Sequence, residues 1–164
     1  MLDEMTVTGL DRVFSGDLIS ADHPRYEEAR AVWNGMVDRR PALIARCAHE
    51  GDVVEALRFA RDAGVRLAVR GGGHNVAGNA VCDGGVVIDL SGMKAIEVDA
   101  TGCTARAQPG VVLGELDRAT QEFGLAAPTG NVSKTGLAGL TLGAVSAGSR
   151  ASTGRPATTC CPRG

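Results

Sequence analysis

Val69-Arg70-Gly71-Gly72-Gly73-His74-Asn75-Val76-Ala77-Gly78 decides how this chain of 164 residues is read. The run just before it, Val65-Arg66-Leu67-Ala68-Val69, has the apolar pattern of a short buried strand. Three glycines follow in a row. Lacking a Cβ, they let a ligand approach the backbone closely and tolerate φ > 0. Successive free N–H groups in such a turn form a concave anion site suited to a phosphate or pyrophosphate. His74 comes next, where the strand has ended and a side chain can reach a ligand. No Gly-Lys-Ser/Thr closes the loop, so it is not a P-loop. Val76-Ala77-Gly78-Asn79 is a poor helix start, which argues against the dinucleotide fingerprint. A plain turn with a loop histidine bonded to backbone is the bland alternative.

Working outward, the flanking segments make this loop the end of a β-α-β unit. Pro41-Ala42-Leu43-Ile44-Ala45-Arg46 reads as a strand. Asp52 to Arg61 reads as an amphipathic helix with Val53, Val54, Leu57 and Ala60 inward and Gly64 as its C-terminal cap. Upstream, residues 1–20 read as irregular. Asp22-His23-Pro24 reads as a helix start with Asp22 as N-cap. Tyr26, Ala29 and Trp33 then share one face, and Asn34-Gly35 ends the helix. Downstream, Val86-Val87-Ile88-Asp89-Leu90 is an apolar strand. Ala95 to Asp99 and Cys103 to Gln108 alternate like a hairpin pair. Val112 to Phe123 reads as a second amphipathic helix, with Val112, Leu113, Leu116, Ala119 and Phe123 inward and Gly124 closing it. A second small-residue loop runs from Ala127 to Leu140. Its hydroxyls and bare amides at Gly130, Ser133, Thr135, Gly136 and Gly139 can serve the same ligand from another side, or the loop is a plain connection.

Composition narrows the function classes. A net charge of −2 gives no electrostatic pull toward nucleic acid or an anionic membrane. No apolar run approaches a membrane span of about 20 residues. The N-terminal Met1-Leu2-Asp3-Glu4-Met5 lacks the order of a signal peptide, so a cytoplasmic location is expected. Five cysteines show neither a C-x-x-C pair nor a zinc-type histidine spacing, and read as reduced thiols without a metal. Arginine outnumbers lysine 15 to 2, in keeping with a GC-rich coding sequence.

Residues 8–143 resemble the N-terminal, FAD-binding part of bacterial FAD-linked oxidases. This is the berberine-bridge-type and 6-hydroxynicotine oxidase-like family, with its PCMH-type FAD domain. The matching blocks are Tyr26 to Gly35, Arg39 to Ile44, the R-G-G-G-H stretch Val69 to Gly78, Val87 to Ser91, Pro128 to Ser133 and Gly139 to Gly143. The resemblance implies an α+β fold: a PCMH-type FAD-binding domain of two small α/β lobes, here incomplete. It also implies that Arg70, Gly71, Gly72, Gly73, His74, Asn75, Ala77 and Gly78 hold FAD, joined by the second-loop residues Gly130, Ser133, Thr135, Gly136 and Gly139. It further implies a covalent bond from an imidazole nitrogen of His74 to the flavin 8α-methyl. Imidazole is neutral and nucleophilic near neutral pH, which fits that role. Some relatives add a cysteine tether in the second loop. Val132 takes that place here, so the flavin is expected to be attached through His74 at most, and Cys82 and Cys103 read as small buried residues.

The resemblance stops after Gly143. Relatives continue with a run like G-G-G-F-G-W-L-S-R-K-Y-G-L-T-C-D-N, whereas residues 144–164 hold one valine, no other large aliphatic residue and no acid. Codons read one base earlier allow the family run at nearly every step, the leucine after the Tyr-Gly pair excepted. A single-base loss near codon 143 is therefore expected, with 144–164 an out-of-frame, disordered tail. The chain thus divides into an N-terminal extension with a helix (1–37), a truncated FAD-binding domain (38–143) and that tail. The implied parent activity is an FAD-dependent oxidoreductase. It takes a hydride from a small organic substrate and passes electrons to O₂ to give hydrogen peroxide. No catalytic acid or base can be assigned. The alternatives are a non-catalytic nucleotide-binding module and a non-functional truncated product.

Overall fold

The apolar runs around the glycine loop collect into one sheet, in a computed structural model that describes residues 9–143 and two short strands beyond them. In chain order the elements are β1 (Asp17–Ser20), α1 (Tyr26–Arg30), β2 (Leu43–Arg46), α2 (Glu50–Asp62), β3 (Leu67–Arg70), β4 (Val86–Asp89), β5 (Ile96–Asp99), β6 (Thr104–Ala107), α3 (Leu113–Gln121), β7 (Leu125–Ala126), α4 (Leu137–Gly143), β8 (Thr158–Thr159) and β9 (Cys161–Pro162). The first lobe is a four-stranded sheet in the order β1-β2-β4-β3. β4 lies between β2 and β3 and is parallel to both, while β1 pairs antiparallel with β2. The β-α-β unit is therefore present, but its two strands are separated by the next one to arrive.

Both faces of this sheet are covered, which explains the near-continuous apolar runs of β2 and β4. Alternate residues divide between the faces. Ile19, Ile44, Ala68 and Val87 pack toward Tyr26 and Ala29 of α1. Leu43 and Val86 pack with Phe59 and Ala60, and Ala45 and Ile88 with Ala56, all on α2. The buried Tyr26 hydroxyl donates to the carbonyl of Pro41 at 2.6 Å.

The second lobe joins the antiparallel β5–β6 hairpin to α3 and α4. Its core is Val111, Leu113, Leu116 and Leu137, flanked by Ile96, Ala105, Ala107 and Leu140. Gly64 and Gly124 close α2 and α3 with φ of 62° and 69°, as expected of C-terminal glycines.

Several expectations are corrected. Residues 17–20 form β1, because the edge of β2 offers a partner that local pattern does not reveal. α1 begins after Arg25, without the expected Asp22 cap, and Ala31 already has an extended ψ of 140°. Trp33 is therefore outside the helix. On α2 the buried face is Asp52, Ala56, Phe59 and Ala60, whereas Val54 and Leu57 are exposed. Asp52 sets this rotation: it accepts the Ser15 and Ala48 N–H groups at 2.9 and 2.8 Å and is wholly buried. Phe123 lies past the end of α3 and is exposed, and its inward place goes to Thr120. Cys103 sits in the hairpin turn at φ 48°, not in a core. Beyond Gly143, Thr158–Thr159 pair with β6 and Cys161–Pro162 with β7, so the expected irregular tail is corrected at those four residues. The rest of the expectation for 144–164 falls outside the described residues.

Candidate functional site

Strand register builds the floor of the site. In the two parallel pairings Asp89 stands opposite Arg46 of β2 and opposite Arg70 of β3. Three charged residues thus end three neighbouring parallel strands at their carboxyl edge, where open α/β sheets bind ligands. Asp89 is fully buried and Arg70 nearly so, and their ion pair measures 2.8 Å. Arg46 Nε donates to the same Asp89 oxygen at 3.2 Å, and the Ser91 N–H donates to the other at 3.0 Å. Burial works against charge on Asp89. Hydrogen bonding and charge from Arg70, with the Ser91 amide, outweigh it and hold the carboxyl below its usual range.

Above this floor lies a cleft of about 290 Å³. Gly71, Gly72 and Gly73 line it from the first loop, with Arg46 and Arg70 from the sheet and Lys94 from the second lobe. Bare glycine backbone suits an anion, while the basic side chains are already paired, Arg46 and Arg70 with Asp89 and Lys94 Nζ with both Glu115 oxygens at 2.8 Å. The glycines are also required by packing. A Cβ on Gly71 would stand 2.8 Å from the Pro109 carbonyl oxygen. On Gly72 it would stand 2.5 Å from both N and Cα of Gly136. Gly73 and Gly78 have φ of 66° and 72°, and Gly78 lies against Val37. Gly72 itself does not have positive φ, so its demand for glycine comes from the second loop's backbone.

His74 leaves the loop beside Trp33. Their rings stack with centroids 4.5 Å apart and planes 22° apart. Nε2 of His74 is buried and has no hydrogen-bond partner. An unpaired buried polar atom costs about 1–3 kcal/mol; His74 follows directly on the glycines that line the cleft but does not line it itself.

The other expected residues divide. Asn75 and Ala77 are exposed and do not line the cleft; Asn75 shapes the turn by accepting the Asn79 N–H at 3.1 Å. Gly136 is buried against Gly72 and bridges to Val112. Ser133 and Thr135 use their carbonyls to accept the Gly114 and Leu113 N–H groups at 2.9 and 3.0 Å. Gly130 packs on Leu113 and Leu140. Gly139 is exposed on α4 with open space at its Cβ position. The second loop therefore touches the glycine loop through Gly136, and none of its five expected residues lines the cleft, nor does Gly78. Sequence reading did not single out Arg46, Asp89, Ser91 or Lys94 as site residues. A charged residue ending the apolar run of β4 was the available signal for Asp89. Nothing local signals Arg46 or Lys94, which arrive from other strands and the other lobe.

Comparison with known proteins bears on the family and the fold. The family described as FAD binding domain matches residues 41–161. The chain is 43% identical over 127 residues to (R)-6-hydroxynicotine oxidase of Paenarthrobacter nicotinovorans, covering 77% of this chain and 28% of that protein. It is 38% identical to an uncharacterized FAD-linked oxidoreductase of Bacillus subtilis, covering 79% and 29%. Among solved structures, 6-hydroxy-D-nicotine oxidase from Arthrobacter nicotinovorans superposes with a TM-score of 0.76 at 42% identity, over 77% of this chain and 28% of that one. The BBE-like 1 protein of Physcomitrella patens gives 0.79 at 27% identity, over 84% and 30%. The chain thus spans under a third of the length of these relatives.

Proposed function

This chain belongs to the FAD binding domain family of FAD-linked oxidoreductases, and on that premise we propose that it supplies the cofactor-holding part of a flavin-dependent oxidase. FAD is the cofactor of the family, and the residues present fit it. The glycine backbone at residues 71–73 suits the pyrophosphate, and Arg46, Arg70 and Lys94 line the same cleft as donors paired with Asp89 and Glu115. Gly136 closes on Gly72 and fixes the loop's position. The buried Nε2 of His74, unpartnered and next in sequence to the glycines that line the cleft, is the single observation that carries the proposal of covalent attachment. Bound FAD supplies two-electron oxidation; the residues here bind, orient and tether it.

The activity proposed for the whole enzyme is hydride removal from a small organic molecule, with O₂ as the electron acceptor. (R)-6-hydroxynicotine oxidase, by its name, acts on such a small molecule. Among the described residues no helix is long and apolar enough to cross a membrane, and a cytoplasmic location is proposed.

The test is direct. The purified chain, mixed with FAD, is precipitated with acid and the pellet examined for flavin fluorescence. Flavin that stays with the polypeptide, and is lost in His74→Ala, supports tethering. Flavin bound before precipitation but fully extracted by acid overturns tethering and leaves FAD binding standing. No flavin bound at all overturns the reading of the cleft.

A further inference from the structure

Residues 31–37 leave α1 and run along the glycine loop, held to it at several points. Arg70 Nη1 donates to the Ala31 carbonyl at 3.4 Å. The Trp33 N–H donates to the Gly73 carbonyl at 3.1 Å. Asn34 Nδ2 donates to the Val76 carbonyl at 2.8 Å, and Val37 packs on Gly78. The segment thus brackets His74 on both sides in sequence. Trp33 is 60% exposed although it is the chain's one tryptophan and could have been a core residue. Its indole stacks on His74.

From this arrangement we infer that Trp33 is the positioning residue for His74. Its indole face fixes the plane of the imidazole, so that the ring nitrogen meets the bound cofactor in one orientation. The inference rests on the covalent reading above and adds a residue to it: attachment would exchange an 8α C–H and the imidazole N–H for one C–N bond, releasing two protons and leaving two electrons on the flavin for O₂ to take up as hydrogen peroxide. A stacked aromatic pair prefers offset, near-parallel faces, and 4.5 Å with 22° lies in that range. The backbone bond from Trp33 to Gly73 anchors the indole to the residue next to His74, so ring and loop move together. An imidazole free to rotate about χ1 would address the cofactor only part of the time. A misplacement of about an ångström is enough to slow a bond-forming step on the order of a hundredfold.

Two measurements on the full chain test this. The first uses the chain without FAD. Contact with imidazole quenches indole emission, so His74→Ala raises the fluorescence of Trp33; unchanged emission shows that the stack is absent in solution and overturns the inference. The second follows acid-stable flavin against time after FAD is added. Trp33→Ala is expected to slow attachment by about tenfold or more, scored per flavin bound before acid treatment because Trp33 also lines the cleft. Trp33→Phe keeps an aromatic face and restores the rate. Attachment at the unmutated rate in Trp33→Ala overturns the positioning role and leaves His74 as the tether. Absence of acid-stable flavin in the unmutated chain overturns the covalent reading itself, and the role of Trp33 with it. Loss of all flavin binding in both Trp33 variants makes the residue a structural support of the loop and likewise overturns the inference.

Discussion

At the scale of single residues, Asp89 carries the most consequence. It holds Arg70 and Arg46 at the carboxyl edge of the sheet while wholly buried. Asp89→Asn leaves Arg70 buried without its counter-charge, and the expected loss of stability is about 3–5 kcal/mol, read as a lower urea midpoint. The pH dependence has a definite sign. The folded carboxyl titrates below its unfolded value, so the stabilisation is present above about pH 4. It is lost as pH falls through the lower folded pKa. Unfolding titrations between neutral and acid pH should show this slope, and Asp89→Asn should flatten it. Cysteine reactivity gives a second prediction. Burial, with the charges of Asp52 and Asp89, pushes the Cys47 thiol up to about 12, and Cys82 is raised chiefly by burial. An alkylating agent at neutral pH should therefore modify Cys103, in its hairpin turn, before either of them. Mass spectrometry of the native chain with brief labelling checks the order.

At the scale of elements, the decisive contact is between two loops. Gly72 and Gly136 touch through bare backbone, so a side chain on either one pushes the loops apart. Gly136→Ala should destabilise the chain by about 1–3 kcal/mol and weaken FAD binding, because the first loop loses its support. Gly139→Ala is the matched control: its Cβ would meet nothing within 4 Å and its residue is helical. It should stabilise by about 0.5–1 kcal/mol and leave binding unchanged. Thermal melts and flavin titrations of the two variants should therefore differ in sign. A similar logic explains α2. Its Val54 and Leu57 satisfy an amphipathic pattern, yet the helix turns its alanines to the sheet because Ala56 and Ala60 allow close approach and Asp52 pins the first turn.

At the scale of the whole molecule, two lobes meet at the cleft, and the two described strands beyond Gly143 return to the second of them. β8 pairs with β6 of the hairpin and β9 with β7. We propose, from the codon reading, that residues 144–164 are nevertheless translated out of frame. DNA sequence around codon 143 that encodes these residues without a missing base would sink that proposal. Inserting one base there is expected to give a longer flavoprotein whose oxidase activity can be assayed as hydrogen peroxide release. Leu142 bears on solubility as the chain stands. It is 85% exposed at the end of α4, a contact point for association. Leu142→Lys should lower light scattering at high concentration without changing flavin content.

The sequence by itself determined the three parallel strands of the first sheet, the glycine loop, both glycine-capped helices, the hairpin and the family to which they belong, but not the edge strand β1. Each of these is local: an apolar run of fixed period, a glycine where φ must be positive, a short motif. It could not place Trp33, whose helix spacing was sound until Ala31 turned extended and the indole moved onto His74. Nor could it bring Arg46, Asp89 and Arg70 together, since strand register joins residues from three separate segments. Tertiary structure alone decided why Gly72 must be glycine, because the atom that excludes a side chain there belongs to Gly136, far along the chain. Sequence patterns record what a residue needs from its neighbours in the chain. The site is made of neighbours in space, brought together when burying both faces of one sheet fixes where its strands end.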